Sequence, residues 1–200
     1  MKPMAIGWIL TACAAAAAAQ SPALPDREEA TQYLESTRDG VLHATSGLSE
    51  AQWNFKAAPD RWSVAEVTEH IAAAEDLFRE MIENQVLEAP PRAEKEDVAA
   101  LDAMVVRVIP DRTRKADAPE ALRPTNRFGS PEEALRHFVA AREKTLALLK
   151  SRDDLREHAT ESPLGKKLDA YEWILFAGAH SERHTKQIEE VEANPNFPKK

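Results

Sequence analysis

Residues 171–188, YEWILFAGAHSERHTKQI, place two histidines four positions apart on the apolar stripe of one helix. That spacing projects both rings from one face, a turn apart, close enough to hold a single metal ion. Trp173, Phe176 and Ala177 before them and Ile188 and Val191 after them share the stripe, so His180 and His184 lie in a seam that faces a core. Burying two unpartnered imidazoles there costs on the order of 1–3 kcal/mol each. A metal ion satisfies them; a buried carboxylate or a water is the alternative. Any fold for this chain has to bring a partner to that seam.

The surrounding pattern supplies helices to do so. Asp26 with Glu29 has the signature of a helix N-terminus, with Leu34, Arg38, Val41, Leu42 and Thr45 as the inner stripe and Gly47 at the C-terminal end. Three aromatics, Trp53, Phe55 and Trp62, then pin an irregular connection against the bundle. Ser63 and Glu66 form a capping box that opens a second helix, running to about Glu88 before Pro90 and Pro91 stop it. Its stripe holds Val67, Ile71, Ala74, Leu77 or Phe78, and Met81, and His70 sits between Val67 and Ala74.

Residues 90–130 form a long crossover with a short helix at 96–108 and a Pro- and Arg-rich stretch after it. A connection of that length inside one domain suggests a segment that also covers a site. Ser130, Pro131 and Glu133 start a third helix reaching Lys150, with Leu135, Phe138, Val139, Arg142, Leu146 and Leu149 inward and His137 on the edge. His43 reads as a solvated surface residue and His158 as a loop residue. Asp169 with Glu172 caps the fourth helix, which Pro195 ends. No strand-like alternation of any length appears. The expected fold is all-α, a four-helix bundle with a long crossover between its second and third helices.

The composition, 43% hydrophobic and 30% charged over 200 residues, fits one globular domain, here 26–193, followed by a tail at 194–200. Residues 1–19 read as a secretory signal peptide cut after Ala19, with 20–25 as a linker. Leu10-Thr11-Ala12-Cys13 also resembles a lipoprotein signal in which Cys13 becomes the anchored first residue. Either route exports the protein, to the periplasm or beyond, with no membrane span left after processing. Cleavage after Ala19 removes the sole cysteine, so no disulfide is expected. A formal charge of −8 disfavours nucleic acid and anionic membrane surfaces as partners.

Bundles build metal sites from side chains on facing helices. His70 on the second helix with His180 and His184 on the fourth offers three neutral nitrogen donors, and a closed structural site would use four protein ligands. The segments WSVAEVTEHIAAAE (Trp62 to Glu75) and HSERHTKQI (His180 to Ile188) resemble the two signature regions of the DinB superfamily of four-helix bundles. The resemblance spans about 26–193. It implies a divalent metal, zinc, nickel or iron, held by His70, His180 and His184, with Arg183 and Gln187 also matching; it allows a homodimer. Other metal motifs fail: no histidine has a glutamate three positions before it, as a di-iron bundle needs, and Glu182 lies about 200° around the helix from His180, unlike the glutamate of a zincin.

Two classes of function follow. One is a metal-dependent enzyme acting on a small-molecule substrate, either a thiol-dependent transferase, as the resemblance implies, or a hydrolase, with Glu66, one turn before His70, as the general base. The other is a non-catalytic bundle that binds a metal or an apolar ligand.

Overall fold

The computed structural model describes residues 27–92, 97–114 and 117–199; the signal peptide, the linker, Cys13 and the Asp26 cap lie outside them. Among the described residues the chain forms α1 (Arg27–Ala44), α2 (Glu50–Trp53), α3 (Val64–Met81), α4 (Val98–Val108), α5 (Pro131–Ser151) and α6 (Ala170–Glu192). A π-helical turn, Ile82–Val86, extends α3, and an antiparallel hairpin of β1 (Ala159–Glu161) and β2 (Lys167–Asp169) precedes α6. The four long helices α1, α3, α5 and α6 make the bundle, and the crossover between α3 and α5 carries α4 across α6.

Local chemistry sets the helix starts. The Ser63/Glu66 and Asp169/Glu172 capping boxes are both formed, and Ser130 caps α5 with Pro131 behind it. The N-terminal half of α6 is buried on all sides, from Ala170 to Ala179. There α1 approaches closely, because a Cβ on Gly178 would lie 3.0 Å from the Tyr33 ring. Arg142, on the inner face of α5, is wholly buried and ties the bundle together. It pairs with Glu75 of α3 through Nε and Nη2, both at 2.8 Å, and donates to the Leu34 carbonyl and Thr37 of α1 and to Ser181 of α6.

Several expectations are corrected. Residues 159–169 form strands that alternation could not reveal, since three residues per strand show no period; the turn instead depends on Gly165 at φ 67. The second helix leaves α geometry after Met81, and the wider turn, closed by Leu87 N–H to Ile82 O, keeps Ile82 and Val86 both buried. In α1 it is Thr37 that faces the core; Arg38 is partly exposed and pairs with Glu143. Phe78 takes the core position and Leu77 faces outward. The connection at 48–62 contains α2, opened by a Ser49/Gln52 capping box, and Phe55 packs edge-on against Phe197 of the C-terminal tail.

Candidate metal centre

Helices α3 and α6 pack face to face and bring the three histidines together. The Nε2 of His70 lies 3.2 Å from that of His180 and 3.1 Å from that of His184, and one nitrogen from each ring falls within 4.8 Å of the others. Three imidazoles bound at 2.0–2.1 Å to one tetrahedral ion would have nitrogens about 3.3 Å apart. Among the described residues no Cys, Asp or Glu side chain joins this group, which leaves the rest of a coordination sphere to other ligands.

The far side of each ring decides what the near side offers. His70 Nδ1 sits 2.9 Å from the Leu122 carbonyl, which only accepts, so Nδ1 carries the proton and Nε2 is bare. His184 Nδ1 donates likewise to Gln187 Oε1 at 2.8 Å, and the Arg112 guanidinium 3.4 Å from that oxygen fixes which way the amide points. Two bare nitrogens therefore face each other at 3.1 Å, lone pair against lone pair. A cation between them removes the repulsion, and the donor set fits a divalent ion with imidazole preference.

Electrostatics favours the neutral, metal-ready rings. Burial holds the His180 and His184 pKa values well below the ordinary 6.5, with further depression by the neighbouring histidines. Burial also lowers that of His70, against the opposing pull of the Leu122 carbonyl. The walls are apolar: the Trp62 ring stands 4.9 Å from His70 and the Phe78 ring 5.2 Å from His180. Trp62 thus borders the site as well as pinning its loop, a role that an aromatic in an irregular connection does not announce.

The crossover roofs the centre. Leu122 comes from it, and Arg183 of α6 donates to its carbonyls at Ile109, Asp111 and Arg114. The other singled-out residues lie elsewhere. Glu66 accepts from Ser63 N–H at 2.8 Å and from Lys56 Nζ at 2.9 Å, and its carboxylate is not among the clustered ligand atoms. His137 pairs with Asp76 at 2.5 Å, His158 bonds the Ala89 carbonyl, and His43 is exposed. Glu182 accepts from the Tyr33 hydroxyl at 2.8 Å, turned toward α1.

The fold and the site together define a helical bundle with a three-histidine cluster between two facing helices. The sequence profile of the DinB superfamily matches residues 33–188, and the chain belongs to it. It is similar to the uncharacterized protein YuaE of Bacillus subtilis (strain 168), with 28% identity over 146 residues, 72% of this chain and 86% of the relative. Among solved structures it shares the fold of YfiT from Bacillus subtilis, at 16% identity and a TM-score of 0.53, over 86% of this chain and 89% of that one. YfiT is described as a probable metal-dependent hydrolase with an unusual four-helix bundle topology.

Proposed function

We propose that the protein is a metal-dependent hydrolase acting on a small molecule, with a divalent ion held by His70, His180 and His184. The observation that carries this reading is the pair of bare Nε2 atoms of His70 and His184 facing each other at 3.1 Å with His180 beside them. Three protein ligands are the number that catalytic sites use, and the description of YfiT points the same way. When bound, the ion supplies Lewis acidity, polarising a carbonyl or phosphoryl oxygen and acidifying water. The chain's own residues do the rest. Leu122 and Gln187 orient the ligand rings, and Trp62 and Phe78 keep the centre dry and favour an apolar substrate portion.

The sequence offers Glu66 as a proton acceptor, but the helix cap and Lys56 hold its carboxylate apart from the histidine cluster, and that position makes a clean test available. Glu66→Gln preserves a capping box, since glutamine fills that position, but removes the base. With metal content and melting temperature unchanged, turnover is expected to stay near wild type, since a general base must reach the proton it takes; a fall of about 100-fold or more would return Glu66 to the chemistry. Screening metal-loaded protein on esters and amides, with and without a low-molecular-weight thiol, separates hydrolysis from thiol-dependent transfer. Metal binding without turnover of any of them supports a non-catalytic binder.

Export belongs to the same proposal and rests on residues 1–19. N-terminal sequencing of protein recovered from the periplasmic fraction should begin at Gln20, or be blocked at a lipidated Cys13; recovery only from cytoplasm with an intact start would refute it.

A further inference from the structure

Glu69 stands beside His70 on α3, is only 6% exposed, and has no part in the chemistry proposed above. Its carboxylate accepts from three successive backbone N–H groups of the crossover, Thr125 at 2.7 Å, Asn126 at 2.8 Å and Arg127 at 3.2 Å, and from Arg127 Nε at 3.1 Å. Asn126 adopts the left-handed region at φ 61, and successive amides in such a turn converge on one anion. Asparagine tolerates that region better than most side chains.

Arg127 extends the grip. Its Nη1 donates to the Ala121 carbonyl at 2.9 Å and its Nη2 to the Arg123 carbonyl at 2.6 Å. Those two carbonyls flank Leu122, whose own carbonyl accepts from His70 Nδ1. Adjacent residues of α3 therefore hold one loop at two points, Glu69 through the amides of 125–127 and His70 through residue 122.

We propose that Glu69, acting through Arg127, is a positioning residue for the metal centre: it fixes the Leu122 carbonyl against His70 Nδ1 and so keeps His70 Nε2 bare and aimed at His180 and His184. The inference rests on the metal reading for its consequence and on the loop geometry for its cause. With the loop released, the His70 ring is free to carry its proton on Nε2, the nitrogen that the centre needs unprotonated.

The test compares purified wild type with Glu69→Ala, Arg127→Ala and a remote core truncation in α5, Leu149→Ala. Two quantities are read: Zn²⁺ affinity by chelator competition, and the tautomer of the His70 ring by ¹⁵N NMR of metal-free protein. Glu69→Ala and Arg127→Ala should bind Zn²⁺ about 10–100-fold more weakly, the usual effect of an outer ligand contact, and should lose the Nδ1–H form of His70. Leu149→Ala should melt lower yet match wild type in both. Arg127 lies at the surface, so its variant decides the question if Glu69→Ala does not fold. Folded variants with wild-type affinity and an unchanged tautomer would overturn the proposal. A wild type that takes up none of Zn²⁺, Ni²⁺ and Fe²⁺ would refute the metal reading instead, and the tautomer would still report on Glu69.

Discussion

Replacing Arg142 by Ala is expected to lower folding stability by about 3–5 kcal/mol, a large share of the 5–15 kcal/mol typical of a domain. The reason is what stays behind. Glu75 is 2% exposed and would keep only the Thr145 hydroxyl, at 2.7 Å, in place of a two-pronged guanidinium. The Leu34 carbonyl and the hydroxyls of Thr37 and Ser181 would lose a donor in the same step. An unpartnered buried charge is far more costly than a missing pair, so Arg142→Met combined with Glu75→Leu should regain most of the loss. Urea unfolding of the two single variants and the double one measures this directly. A single-variant loss below about 1 kcal/mol would mean that water reaches Glu75 and that the pair contributes little.

The second large effect concerns the centre itself. His70→Ala, His180→Ala and His184→Ala should each weaken metal binding by more than the roughly 100-fold ceiling of an outer-contact change, because each removes one of three ligands. Wild type saturated at about a thousand times its Kd should gain about 4 kcal/mol over the metal-free protein, and the variants at the same metal concentration less than about 1.4 kcal/mol. The metal-free protein should also be acid-sensitive. The unfolded chain takes up protons on these rings as pH falls through about 6.5, whereas in the fold burial and mutual repulsion delay uptake to lower pH. Their contribution is fully present above 6.5 and is lost as pH drops through the folded values, with a slope of up to about 4 kcal/mol per pH unit while all three stay neutral. Elemental analysis and melts between pH 7.5 and 5 check both points. Retention of one metal per chain in any of the variants would remove that histidine from the ligand set.

Much of this was legible in the chain because the informative signals are local. Capping boxes at Ser63 and Asp169 need only four residues to be recognised, and both form as read. The seam positions of His70, His180 and His184 follow from helical period, and facing seams bring the rings together. What escaped depends on pairing between distant segments. Arg142 reads as an inward residue, yet nothing near it in sequence names Glu75 as the partner. The anchoring of the crossover by Glu69 needs a left-handed Asn126 fifty-seven positions away, and no pattern at either end predicts it. The hairpin at 159–169 hides because its strands are shorter than the period that reveals strands.

The docking of α1 on α6 has a consequence for how the chain is made. The first rod of the bundle finds its main neighbour in the last one, with Gly178 opening the space for Tyr33. Until α6 has left the ribosome, the beginning of the chain can settle only on α5, through Arg142 and Glu143, and lacks its larger surface. Completion of the bundle, and with it assembly of a site that draws two of its three imidazoles from the same segment, therefore waits until α6 has been made.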